Sequence, residues 1–172
     1  MKNSSRGFTL IELIVVIIIL GTLAAVALPR FANLQVQARQ AKLQGAVGAI
    51  RGAAALFHAQ CLAATNSGGT CPVGAAVTLN MEGVNITGIN QYPTANAAGI
   101  IAAAGLNAAA AAGPNVDFVI RGGGAGPGAV LNIDVPGPTA GTCRVTYTAA
   151  TSAGGVVTAP VTTVTAASSG CQ

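Results

Sequence analysis

A chain of 172 residues and 16.7 kDa holds one domain and, at most, an appended segment. Apolar types supply 52% of it and mean hydropathy is +0.63, against 7% charged and 3% aromatic residues, which excludes disorder by charge excess and a base-stacking nucleic-acid platform. The net charge of +4 arises early in the chain: beyond residue 60 only Arg121 and Arg144 stand against Glu82, Asp117 and Asp134, so no domain-wide basic field exists.

The first element is FTLIELIVVIIILGTLAAVAL, residues 8–28, which carries a single charge, Glu12. At a helical rise of 1.5 Å per residue it spans roughly 31 Å, about the hydrocarbon thickness of a bilayer. Ahead of it stands the polar leader MKNSSRG, whose Lys2 and Arg6 are expected to hold that end in the cytoplasm and leave the rest outside. A secretory signal peptide would use Ala25-Val26-Ala27 as its cleavage site, but typical apolar cores run only about 7–15 residues. A plain membrane anchor gives Glu12 no purpose. Thr9-Leu10-Ile11-Glu12 also matches a T-x-x-E capping box before an apolar run.

MKNSSRG/FTLIELIVVIIILGTLAAVALPRF resembles the N-terminus of a type IV prepilin. The resemblance implies cleavage between Gly7 and Phe8 by a prepilin peptidase and N-methylation of Phe8. It further places the family's glutamate at Glu12, its helix-kinking proline at Pro29, and at Gly21 the position near which the helix loosens on assembly. The amine of Phe8 would then stand one helical turn from Glu12, and in a helical stack it would meet Glu12 of a neighbour. Two unit charges 4 Å apart attract by about 4 kcal/mol at an effective dielectric of 20, enough to fix register between featureless apolar helices. PRFANLQVQARQAKLQGAVGAIRGAAA at 29–55 and QYPTANAAGI at 91–100 resemble the narrower class of mannose-sensitive haemagglutinin (MSHA) pilins.

Pro29 is expected to kink the helix without ending it, because the helical signal resumes. Val36, Leu43, Val47, Ile50, Ala54, Phe57 and Cys61 form the apolar stripe of an amphipathic helix, read as a core face over 29–60. One bent helix over about 8–60 would reach nearly 80 Å. Arg30, Arg39, Lys42 and Arg51 have no acidic neighbours in sequence; they read as a solvated face, with a groove for DNA or an acidic neighbour as the alternative.

Beyond residue 60 short alternating runs replace the helical pattern. Residues 77–81 and 84–87 read as a hairpin, 97–112 as a short Ala-rich helix, and 117–121, 129–134, 143–150 and 156–165 as strands. The run GGGAG at 122–126 is followed by Pro127 and reads as a loop, not a phosphate cradle. His58 is the only histidine and reads as a surface residue, and no Cys/His set has zinc spacing. No enzyme, metal or cofactor is expected. Cys61, Cys71, Cys143 and Cys171 form an even set outside the cytoplasm, so disulfides are expected, with three connectivities open. Pairs 61–71 and 143–171 are favoured because each closes a local loop; the second also resembles the C-terminal disulfide loop of type IV pilins.

The expected fold is α+β: a long bent N-terminal helix, half membrane or filament core and half amphipathic, on a small antiparallel sheet, braced by disulfides. Residues 1–7 are the removed leader, 8–28 the filament-core helix, 29–60 its amphipathic half, and 61–172 the head. The resemblance implies a subunit held in the inner membrane of a Gram-negative-type cell and polymerised by the assembly machinery there. The product would be an extracellular homo-oligomeric fibre for adhesion, biofilm formation or motility. The alternative is a pseudopilin of a type II secretion system, a class that typically lacks the C-terminal disulfide and binds calcium through acidic residues.

Overall fold

A computed structural model describes residues 8–66, 69–137, 141–166 and 171 of the chain, with Gly7 and the rest of the leader outside that set. The described residues begin with one helix, α1 (Leu10–Asn66), which carries Pro29 in its interior. The chain divides into two compact units, Met1–Gln37 and Ala38–Gln172. In the first, the described apolar residues of α1 with an assigned exposure are all exposed except half-buried Ala27 and Val36. The second contains the remainder of α1 and three sheets.

β1 (Ala76–Met81), β2 (Val84–Ile89) and β3 (Tyr92–Pro93) form an antiparallel sheet in that order. The β1–β2 turn puts Glu82 and Gly83 at φ 50° and 86°, the left-handed pair that a two-residue hairpin requires and that glycine adopts without strain. A second sheet contains β4 (Ala108–Ala109), β5 (Phe118–Gly122), β6 (Val130–Asp134), β7 (Cys143–Thr148) and β10 (Val161–Ala166), in the spatial order β10-β7-β6-β5-β4. Its pairs are antiparallel except β4 with β5, which are parallel, so the sheet is mixed and not wholly antiparallel. β8 (Thr151–Ala153) and β9 (Val156–Thr158) make a separate hairpin.

Three expectations need correction. The helix expected over 97–112 shrinks to a turn of π-helix at Ala97–Ile101 and the residues just after it. The Asn96 side chain caps that turn by accepting the Gly99 N–H at 2.7 Å. Beyond it, the Asn107 carbonyl accepts the N–H groups of Asp117 and Phe118, both at 3.1 Å, and draws Ala108–Ala109 into the sheet. Alanine's helix preference is a fraction of a kcal/mol per residue, and sheet pairing overrides it. The run at 156–165 is two strands, because Pro160 offers no N–H to a continuous ladder. β8 was also missed, although Gly154-Gly155 between two alternating triplets is a hairpin signal.

The apolar stripe on α1 packs on the core from Leu43 onward, whereas Val36, expected as its first member, is only half-buried. Leu43, Ile50, Phe57 and Cys61 are fully buried, and Ala46, Val47, Ala53 and Ala54 nearly so. Against them lie Ile86 and Ile89 of the small sheet, Leu131, Ile133, Val145 and Tyr147 of the large one, and Ile100 and Ile101. β7 alternates buried and half-buried residues along its length, the pattern of a strand with one face on the core. Disulfides join Cys61 to Cys71, with Cα atoms 5.5 Å apart, and Cys143 to Cys171, 4.7 Å apart.

Candidate functional site

Among the described residues, the most exposed apolar surface is the N-terminal half of α1. Eighteen consecutive residues there reach a mean hydropathy of 2.8 with none buried, so the helix is long and apolar enough to cross a membrane. Phe8 is 94% exposed, and Ile11, Leu13, Ile17, Leu20 and Leu23 are all open. A soluble domain does not leave such a surface uncovered, because each apolar side chain gains roughly 1.5–3 kcal/mol on burial.

Glu12 stands in the first turn of this helix, and its local bonding follows from the T-x-x-E spacing. Its Oε2 accepts the Thr9 N–H at 3.0 Å and the Thr9 hydroxyl at 2.8 Å, while Thr9 Oγ1 accepts the Glu12 N–H at 3.3 Å. That is a reciprocal capping box, which satisfies helix-end donors that would otherwise be orphaned. Phe8, Ile11, Glu12, Val15 and Val16 border one shallow face, so the single carboxylate is set among apolar side chains. Gly21 has open space where a Cβ would stand, and Pro29 lies inside the helix. Gly7 lies outside the described residues.

Within the second unit, the fold engages Lys42 and Arg39 of α1 closely and Arg51 only loosely. Lys42 Nζ meets Asp117 Oδ1 at 2.6 Å and stands 5.1 Å from the Phe118 ring centroid. This contact, with a further bond from Asn107, holds the Asp117 carboxyl below its ordinary range. Arg39 donates to the Cys171 carbonyl at 3.0 Å. Arg51 makes one long bond, 3.5 Å, to the Thr162 carbonyl. At about 100° per residue Lys42 and Arg51 fall on opposite sides of α1, so the two do not share a basic groove. His58 is not a plain surface residue either. Its ring stacks on Tyr92 with centroids 4.3 Å apart and planes 4° from parallel.

Asp134, 5% exposed at its side chain, is clamped by two guanidinium groups. Arg144 holds it bidentately, Nε to Oδ1 at 2.6 Å and Nη2 to Oδ2 at 2.9 Å, and Arg121 Nε reaches Oδ2 at 3.2 Å. Sequence reading did not find this clamp. It arises because β6 and β7 pair Asp134 directly with Arg144, a register that no single strand announces. The head's acidic residues are thus separated and not gathered: Asp117 and Asp134 each face cations, and Glu82 sits on the β1–β2 turn.

The prokaryotic N-terminal methylation motif matches residues 2–28 of the chain. The type IV major fimbrial protein FimA of Dichelobacter nodosus is 30% identical over 133 residues, which are 66% of this chain and 80% of that protein. The type IV narrow pilus major component PilA5 of Thermus thermophilus is 48% identical over 56 residues, 33% of this chain and 48% of that one, so the chain spans about half the length of that relative. The type IV major pilin protein PilA of Myxococcus xanthus is 50% identical over 38 residues, 22% and 17% of the two chains. No solved structure matches the chain significantly. Similarity that extends across four-fifths of a fimbrial protein, together with the methylation motif and an uncovered apolar helix, establishes that the chain belongs to the type IV pilins.

Proposed function

We propose that this protein is the structural subunit of a type IV pilus, made as an inner-membrane precursor and polymerised into an extracellular fibre. The observation that carries the reading is the apolar, uncovered helix over 8–28 with one carboxylate near its start. A prepilin peptidase cuts between Gly7 and Phe8 and the new amine is methylated. Glu12 then takes the amine of a neighbouring copy. Its Oε2 is occupied by Thr9, whereas no bond among the described residues reaches Oε1. Gly21 and Pro29 let the helix adjust as copies pack. The relatives named above are pilus and fimbrial subunits and not pseudopilins, and the three separated head carboxylates favour no calcium shell. Adhesion, biofilm formation and motility are the roles for such a fibre. The segments 29–55 and 91–100 support an MSHA-type subclass.

The test is the intact mass and N-terminal sequence of the mature chain from surface-sheared fibres. A start at methylated Phe8 is the expected result; a start at Leu28 or an intact Met1 overturns the reading. In the Glu12→Ala variant, processing and head folding are expected to persist while sheared fibres disappear; normal fibres would refute the amine-pairing role.

A further inference from the structure

The charges of the head are nearly all accounted for, and the two with the least engagement are of opposite sign. Asp117 is paired with Lys42, and Asp134 with Arg121 and Arg144. Among the described residues no ion pair or hydrogen bond reaches the Glu82 carboxylate, and Arg51 has only its long bond to the Thr162 carbonyl. In a chain with 7% charged residues, an exposed unpaired acid and an exposed, loosely held guanidinium stand out.

Their surroundings are complementary as well. Arg51 borders a groove of about 360 Å³, whose lining includes the stacked pair His58 and Tyr92, with Leu62 and Pro160. The groove therefore offers one cation beside apolar and aromatic surface, and Leu62 is 45% exposed in it. Glu82 occupies the tip of the β1–β2 hairpin next to Val84, which is 50% exposed, and so offers one anion beside apolar surface. That tip is held ready: the Asn80 side chain accepts the Gly83 N–H at 3.1 Å and donates to Asn85 at 3.0 Å. A rigid projection loses little entropy on docking.

The two features lie on opposite flanks of α1. Gln60 donates to the Asn80 carbonyl at 2.8 Å, which fixes the hairpin against the Gln60 side of the helix. At about 100° per residue, Gln60 lies roughly 180° around α1 from Arg51 and at a similar angle from His58 and Leu62. One head cannot join its own tip to its own groove. A contact between unlike patches on opposite flanks is heterologous, and such contacts repeat into rings or open helical arrays.

We propose that the Glu82 hairpin tip of one copy docks in the Arg51–His58–Tyr92 groove of a second copy, so that this ion pair sets lateral register between heads in the fibre. The contact rests on the filament reading above, and wild-type fibres test that reading separately. The experiment uses full-length chains expressed in cells, with fibres sheared and weighed after the mature N-terminus has been verified for each variant. Glu82→Lys places a cation against Arg51, and Arg51→Glu places an anion against Glu82; each is expected to lower fibre yield about tenfold or more. The double reversal is expected to restore the yield to within about twofold. In a second arm, Glu82→Cys combined with Ala55→Cys is oxidised within intact fibres. The four native cysteines are already paired, and a ladder of covalent oligomers is expected. Single reversals that assemble like wild type overturn the proposal and leave the groove to another occupant. Fibres of the double-cysteine chain that run as monomers overturn it as well, and this cross-link decides the matter if the double reversal fails to recover.

Discussion

Asp134 shows how a chain poor in charge uses the few it has. A carboxylate 5% exposed at its side chain needs compensation, and Arg144 and Arg121 supply three hydrogen bonds to it. Asp134→Asn keeps the shape but removes the charge, which leaves two guanidinium groups facing a neutral amide. Because Arg121 and Arg144 are themselves partly solvated, the expected cost is about 2–3 kcal/mol and not the larger value for a fully buried pair. Urea unfolding of the isolated head reads it directly. Tyr147 supplies a pH-dependent counterpart. It is fully buried, and its hydroxyl donates to the Pro93 carbonyl at 2.8 Å. Burial first, and the nearby Tyr92 second, push that hydroxyl well above its ordinary value of 10.0. The unfolded chain releases the proton near the ordinary value while the folded chain keeps it. The contribution is therefore whole below about pH 10, and stability falls above it by up to about 1.4 kcal/mol per pH unit. Tyr147→Phe is expected to cost about 1 kcal/mol at neutral pH, through the orphaned Pro93 carbonyl, and to flatten the alkaline slope. Denaturant midpoints at pH 8 and pH 11 compare the two; equal slopes would place the titration elsewhere.

At the scale of elements, α1 approaches the small sheet closely at Gly88. An added Cβ at Gly88 would land on the Phe57 ring and lie 3.0 Å from the Tyr92 carbonyl, so glycine in this strand marks where helix and sheet touch. Gly88→Ala is expected to cost about 1–3 kcal/mol by overpacking. Phe57→Leu in the same chain gives room, so the double variant should be more stable than the sum of the two losses implies. A double-mutant cycle by thermal unfolding measures that coupling, and strict additivity would mean the two do not share the space. Helix α1 itself was legible in the sequence, because burial at 3.6-residue spacing leaves a stripe that needs no knowledge of the partner. The β1–β2 hairpin was legible for the same local reason. The π-turn at Ala97–Ile101 and strand β4 were not, since the Ala-rich run prefers helix until Asn107 is engaged by β5. Lys42 with Asp117 and Asp134 with Arg144 were equally hidden. The first pair is 75 residues apart in the chain, and the second is set by strand register. The apolar N-terminus and Glu12 could be read at once because their environment is uncovered surface, and its pattern is carried by consecutive residues.

For the whole molecule, the decisive feature is where burial begins. None of the described residues from Phe8 to Gln37 with an assigned exposure is buried, and the core starts at Leu43. Among the described residues, every core side chain, both disulfides and the three ion pairs then lie within Ala38–Gln172. On the proposed filament reading, stability and assembly thus fall to different lengths of α1. A chain that starts at Ala38 should fold as a soluble monomer with a cooperative thermal transition, since it keeps every described residue classed as buried and sheds the exposed apolar surface. A chain that starts ten residues later, at Gly48, discards Leu43, Ala46 and Val47. Loss of one buried leucine alone costs about 2–5 kcal/mol, so this shorter head should melt far earlier or fail to fold. Circular dichroism and size-exclusion chromatography on the two chains make the comparison. If the Ala38 chain aggregates or melts without cooperativity, residues before it contribute to the core, and the separation of folding from assembly along α1 is wrong.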